Sequence, residues 1–554
     1  RLSIYSDTAN IVTPERRCSH LGAAQPGDRL GALFDKGSCA VRTPKVVVIG
    51  SGLGGLVAAL ELGASGFDVQ VIEAHETLGG KIRALPVGKG QEIDSGPTVF
   101  TMRRVFDDLF DACGLSFEDS VKLEPLNLLA RHAWHNGGEL DLFANKEQTA
   151  DAISAFATPG EGRRYLRFCR QAARTFETLE TTYMRARRPN VLELVARIGR
   201  SDPVGLTAIH PFRTLWAELS RYFDDHRLRQ LFGRYATYCG ASPYAAPGTL
   251  MLIAHAEQQG VWLIKGGMFR LVTEIARAAE RSGVKFICGC KVEEILTDQS
   301  RASGVRLSTG EKIPADAVVF NGDASALGAG LLGQGASRSI SAIAPSRRSQ
   351  SAITLSFVAE AEGFELAPHT VFFGSDYESE FDDVFHEGRL PRKPTVYVHA
   401  PDRPHDGGPP RQREERLFML INAPANGDTR KYTNEDLEQC EARASELMSR
   451  CGLRLRRFSG NRVWTTPEHF ARMFPGTGGA LYGLAPHGWR SSFQRHGSRS
   501  PLPRLYLAGG SVHPGSGVPM AALSGRLAAA SVIQDCRSTT GSHRAAIAGG
   551  TLMA

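Results

Sequence analysis

The residues of this sequence best suited to chemistry are a run of glycines and one carboxylate. Gly50-Ser51-Gly52-Leu53-Gly54-Gly55 follows the β-branched run Lys45 to Ile49, and a second apolar run, Val69 to Ile72, ends on Glu73. That order reads as strand, glycine turn, helix, strand, acid. Gly50 permits a tight turn, Gly52 lets the backbone approach a pyrophosphate, and Gly55 allows close packing of helix on strand, with Gly54 in the same turn and the helix N-terminus facing the phosphates. Glu73, about 20 residues beyond the turn, can accept both hydroxyls of a ribose and argues against a 2′-phosphate. A lone Gly-x-Gly-x-x-Gly is weak; with the strands, helix and acid in order it predicts an ADP-binding site. Ala59 and Gly66 continue the small-residue spacing along the helix that packs there.

Two further turns share this chemistry. Gly79, Gly80, Lys81 and Arg83 follow Glu73 closely, with Asp94-Ser95-Gly96-Pro97 beyond them. Near the other end, Arg504 to Ala508 reads as a short strand leading into Gly509-Gly510-Ser511 and then "VHPGSGVPMAALSGRLAAASVI", whose Ala- and Gly-rich part reads as a helix containing Val518. Such a helix N-terminus can face an anionic or electron-rich group.

The surrounding chain sets limits on partners. Its 554 residues, 42% of them hydrophobic, suffice for two or more subdomains with buried cores. Lys and Arg number 65 against 58 acids, so the net charge of +7 is small for the length and predicts no nucleic-acid partner. Arg185, Arg187 and Arg188, and again Arg490, Arg495, Arg499 and Arg504, are clusters that can meet anionic lipid headgroups, although solvated faces are the plainer reading. The ten cysteines contain no Cys-x-x-Cys pair, and Cys288 and Cys290 flank a single glycine, so neither a metal site nor a disulfide framework is expected and a reducing, cytoplasmic setting follows. No apolar run approaches the roughly 18 residues of a membrane-spanning helix. Residues 1–44 and 537–554 read as a disordered extension and a flexible tail.

The sequence Glu73-x5-Gly-Gly-Lys after the glycine turn resembles the FAD enzymes of the amine oxidase and phytoene desaturase superfamily, and the C-terminal motif resembles that of bacterial-type carotenoid desaturases. Ser511, where many flavoenzymes carry Asp, is a departure shared with those desaturases. Four segments, 260–286, 369–385, 420–428 and "TTPEHFARMFPGTGGALYG" at 465–483, are similar to the 1-hydroxycarotenoid 3,4-desaturases, the group that includes methoxyneurosporene dehydrogenase. The resemblance runs from about Lys45 to Asp535. Phytoene desaturase is the relative most easily confused with that group, and non-catalytic prenyl-binding proteins share the fold.

The resemblance implies an α/β fold: a discontinuous Rossmann-type FAD-binding domain (45–120, 260–330 and 485–536) with an inserted α+β substrate domain (121–259 and 331–484). Lys285 to Ile295 and Ala317 to Asn321 look like strands returning to the first domain. Cofactor contacts are expected at Gly50, Gly52, Gly54, Gly55, Glu73, Gly79, Gly80, Lys81, Val292, Gly509, Gly510 and Val518, with Val292 a backbone contact to adenine. The helical stretch Val191 to Glu257 can line a tunnel or form ordinary core; Trp216, Tyr222, Phe223, Tyr235, Tyr238 and Trp262 are its notable aromatics. The implied reaction introduces a C-3,4 double bond into a 1-hydroxy- or 1-methoxycarotenoid by hydride transfer to flavin, with loss of a proton from the neighbouring carbon. Arg103 and His513 are the candidate polar groups near the flavin; a histidine in such a loop can accept a proton near neutral pH, although a hydrogen bond to its own loop is the plainer reading, and neither is assigned as catalytic. A 1-hydroxyl or 1-methoxyl needs a buried polar partner, which the sequence does not locate. The electron acceptor is left open between a quinone, oxygen and another carrier, and a C40 polyene implies peripheral contact with a membrane.

Overall fold

The computed structural model describes residues 42–548, apart from 89, 204, 208, 407 and 411. Residues 1–41, most of the expected N-terminal extension, therefore lie outside the described residues, as does the end of the tail. Three sheets position the site. Five parallel strands lie in the order Lys285–Ile287, Asp68–Ile72, Lys45–Ile49, Ala317–Phe320, Leu505–Leu507. Val46, Val47 and Val48 at its centre are fully buried, as a strand covered on both faces must be. The helix Leu53–Ala64 leaves the central strand directly and packs against Phe269–Arg281 and the closing helix Val518–Ala548.

The expected strand Lys285 to Ile295 is two strands. It breaks at Gly289, whose φ of 67° lies in the left-handed region, and the chain leaves the parallel sheet. Val292–Asp298 then begins a separate antiparallel sheet with Arg301–Leu307 and Lys312–Pro314. The closing helix continues to Ala548, so the segment from 537 expected to be a flexible tail is helical that far.

A seven-stranded sheet forms the other large layer, in the order Leu453–Thr465, Ser351–Gly363, Glu414–Ala423, Val396–His399, His369–Phe373, Leu128–Trp134, Glu139–Phe143. All its pairs are antiparallel except His369–Phe373 with Leu128–Trp134. The helix Lys146–Phe156 packs on its edge strand Glu139–Phe143 and against Pro159–Leu179, which starts with Thr158 accepting a hydrogen bond from the Glu161 N–H and a proline in its first turn. The stretch 191–257 is a series of short helices rather than one amphipathic run. In it, His226–Gly233 is capped by Asp225 and passes straight into the tight turn Arg234–Cys239, which stops at Gly240 with φ 74°. Leu252–Gln258 follows.

Candidate functional site

Between these layers lies a cavity of about 770 Å³. One part of its wall is made of glycines that touch one another. A Cβ on Gly55 would sit 2.3 Å from the Gly50 carbonyl oxygen, so helix and strand approach through hydrogen alone. A Cβ on Gly54 would meet the backbone nitrogen of Gly509 at 2.7 Å, and one on Gly525 the Gly54 oxygen at 2.3 Å. The first and last cofactor-type motifs are thus interlocked through their main chains. Asn321, at the end of the neighbouring strand, donates from Nδ2 to the Gly50 carbonyl at 3.3 Å and stands where a side chain on Gly52 would go.

The helix Leu53–Ala64 has no side chain capping its N-terminus, so its first N–H groups remain for a ligand. Glu73 is 6% exposed. Its Oε2 accepts from the Ser51 N–H at 2.8 Å and the Ser51 hydroxyl at 2.6 Å, and its Oε1 from the His75 N–H at 3.0 Å. A carboxylate has about four acceptor sites, so capacity is left for a hydroxyl. Gly79 and Gly80 line the same cavity, with φ of 111° and 60°, and Gly79 bridges to Gly52. Lys81 bonds the Leu481 carbonyl, and burial lowers its pKa against the opposing pull of nearby Asp323. Val292, Gly509, Gly510 and Val518 line the cavity as well.

Three expectations need correction. Arg103 turns away: it starts the helix Arg104–Ala112 and pairs with Asp107 at 3.2 Å and Glu118 at 3.1 Å, while Thr101 and Met102 take the cavity wall. His513 is buried behind that wall, its Nε2 2.9 Å from the Ala186 carbonyl and its ring against Tyr183. Burial pulls its pKa down to about 4, which removes it as a base that titrates near neutrality. Gly66 lies past the end of its helix, where a Cβ would meet nothing within 4 Å; Gly63, whose Cβ would meet Val284 at 2.8 Å, makes the close contact instead. Within the arginine clusters, Arg185 pairs with Asp108 and Glu180, Arg499 with Asp535, and Arg495 is buried, donating to the Tyr482, Leu484 and Gly510 carbonyls, while Arg490 lies over the Trp489 ring. Of the six aromatics singled out, Tyr238 alone lines the large cavity; Trp216, Tyr222 and Phe223 pack in a hydrophobic core.

Beyond the glycine wall the cavity is lined by Phe176, Leu179, Met184, Leu252, Ile253 and Ala256. Among these apolar groups stand a few buried polar ones from other segments, including Arg234, Glu257, Gln350 and Thr354, which no spacing in the sequence marks. Ser51 and Asn321, which brace the glycine turn, also escaped the sequence reading. Among the described residues no cluster of side chains could hold a metal ion, and no helix is long and apolar enough to cross a membrane.

Comparison with known proteins agrees with this geometry. The model for flavin containing amine oxidoreductases matches residues 53–533. Hydroxyneurosporene desaturase of Rubrivivax gelatinosus is 51% identical over 511 residues, covering 92% of this chain and 97% of that protein. The protein of the same name from Cereibacter sphaeroides is 43% identical over 89% of this chain and 98% of its own length. Cyclohexylamine oxidase of Brevibacterium oxydans, at 17% identity, shares the fold with a TM-score of 0.53 across 90% of this chain and all of that one. The interlocked glycines, the buried carboxylate with acceptor capacity to spare and the uncapped helix fit FAD, and FAD is the cofactor.

Proposed function

The chain belongs to the flavin containing amine oxidoreductase family, and from that premise we propose that this flavin-dependent oxidoreductase introduces a C-3,4 double bond into 1-hydroxy- or 1-methoxycarotenoids. The observation that carries the reading is one cavity in which the glycine cradle and a long apolar wall are continuous. FAD supplies the two-electron oxidation that a polyene without acidic protons requires. Gly50, Gly52, Gly79, Gly80, Gly509 and Gly510 would hold it by backbone approach, Gly54 keeps the two halves of the cradle in contact, Gly55 lets the first helix close on its strand, and Glu73 would take the ribose. Lys81 and Val518 complete the wall, and Val292, which lines the same cavity, would meet the adenine. Phe176, Leu179, Leu252 and Ile253 align the polyene and exclude water, which is the main contribution such a site makes.

The substrate dissolves in bilayers, and the helix Val191–Ser201 supplies a face that fits one. Leu192 is 80% exposed and Phe212 79%, with Val191 and Val195 beside Leu192 on the helix, and Phe212 meets Trp489 edge-on, with Arg490 over the Trp489 ring. An exposed apolar face with aromatic and arginine neighbours suits the headgroup boundary of an anionic membrane. The enzyme is proposed to work from the cytoplasmic surface, passing electrons to a quinone or oxygen.

Anaerobic mixing of the FAD-loaded protein with 1-hydroxyneurosporene in liposomes tests the reading. Bleaching of the flavin with a red shift of the polyene is expected. Bleaching by phytoene alone transfers the protein to the phytoene desaturases, and bleaching by neither ends the desaturase reading.

A further inference from the structure

Arg234 opens the turn Arg234–Cys239 and is 8% exposed, yet among the described residues its guanidinium makes no hydrogen bond and no ion pair. Its Nε is buried without a partner, and the group lies over the Tyr397 ring at 5.4 Å. An unpaired buried guanidinium is expensive, and arginine can only donate, so the missing partner is an acceptor. Arg234, Tyr238, Glu257 and Tyr397 line both the large cavity and a small one of about 30 Å³ behind it. Glu257 accepts from the Tyr235 hydroxyl at 2.7 Å, and Tyr397 shares a hydrogen with Thr98 at 2.6 Å. On the same turn Cys239 lies next to Ser516 of the C-terminal glycine loop, which places the group close to the cofactor cradle.

We infer that Arg234, flanked by Tyr238 and Glu257, binds the oxygen of the polyene's end group and so selects 1-oxygenated over unoxygenated carotenoids. The inference rests on the carotenoid reading above. It agrees with that reaction's own geometry, because an oxygen on C-1 is only two carbons from C-3, so its partner must line the chamber where the chemistry happens. A donor serves a hydroxyl and a methoxyl alike, since both oxygens accept. Glu257, pushed up to about 7 by burial, adds an acceptor for a hydroxyl proton when ionised and a second donor when protonated.

Two measurements on the full-length holoenzyme separate this from the reading it rests on. The first is affinity for 1-hydroxyneurosporene and for neurosporene with the flavin already reduced by dithionite, so that no turnover occurs, followed by quenching of tryptophan fluorescence. The wild type is expected to prefer the hydroxylated polyene, and Arg234→Met to lower that preference about tenfold or more, with Arg234→Lys restoring part of it. The second is the ratio of kcat/KM for the same pair, expected to fall in step. An unchanged preference in Arg234→Met overturns the assignment. So does an equal loss for both polyenes or a loss of retained flavin, which would mean that Arg234 serves the fold or the flavin itself. If Arg234→Met does not fold, Tyr238→Phe carries the same test with a smaller expected loss. Failure of the oxidised wild type to bleach with either polyene strikes at the desaturase reading, while the binding ratio still decides the role of Arg234.

Discussion

The cavity is recognised in two ways, by main chain around the glycine turns and by side chains around Arg234. At the turns the main chain is interlocked and the buried charge is braced: Gly54 against Gly509, Gly55 against Gly50, Glu73 held by Ser51 and His75. Around Arg234 a charge is kept buried without a partner. The first arrangement fixes a cofactor that stays; the second is costly until a ligand arrives, which suits a substrate that must come and go. The contrast extends to Arg403, which is 5% exposed like Arg234 is 8%, but forms a two-pronged pair with Glu415 at 2.7 and 2.6 Å.

The contrast breaks most severely at Gly54. In Gly54→Val the side chain would meet Gly509 and Asn321 inside 3.0 Å, and the purified protein is expected to carry no flavin, read as flavin absorbance per mole of protein. Arg403→Met should cost about 3–5 kcal/mol in denaturant unfolding, because it strands a buried Glu415. Arg234→Met strands nothing, so without substrate its stability should equal or exceed that of the wild type. A large loss there would show that Arg234 is already paired in the folded protein. Glu73→Gln keeps the shape but weakens the charged acceptor, and FAD affinity is expected to fall about tenfold or more in equilibrium dialysis.

A further effect concerns protons. Burial holds His132, His399, His487 and His513 at about 4, well below an unfolded histidine. Their contribution to stability is whole above pH 6.5 and is lost as pH falls through 4. Glu257, raised to about 7, works the other way, its contribution being whole below pH 4.5 and lost as pH rises through 7. Melting temperature should therefore decline from pH 6.5 toward 4, and more steeply in Glu257→Gln.

The two regions also differ in how far the sequence alone discloses them. The glycine turn, Glu73 and the Gly79-Gly80-Lys81 turn lie within one short stretch, where spacing and structure are tied by a single strand, helix and strand. The Arg234 group comes from four separated segments, holding Thr98, Arg234 to Cys239, Glu257 and Tyr397, and only the folded sheets bring them together. Arg103 and His513 misled for a related reason. Closeness in sequence to a motif does not set direction, and a helix start aims Arg103 at Asp107 while packing against Tyr183 turns His513 toward Ala186. Gly63 and Gly525 were illegible because their partners, Val284 and Gly54, belong to other elements.

The order of strands in the parallel sheet also constrains how the molecule is made. Lys45–Ile49 pairs with Ala317–Phe320, that strand pairs with Leu505–Leu507, and Gly54 rests on Gly509 and Gly525. At translation rates of 5–20 residues per second, roughly 20 to 90 s separate synthesis of the two halves of the cradle. Throughout that interval the nascent chain exposes the flank of its first helix that Val518–Ala548 will cover and, once it is made, the edge of Ala317–Phe320 that Leu505–Leu507 will pair with. Flavin capture is thus among the last events of biogenesis, and the yield of active protein in a cell depends on what shields the unfinished chain as much as on the supply of FAD.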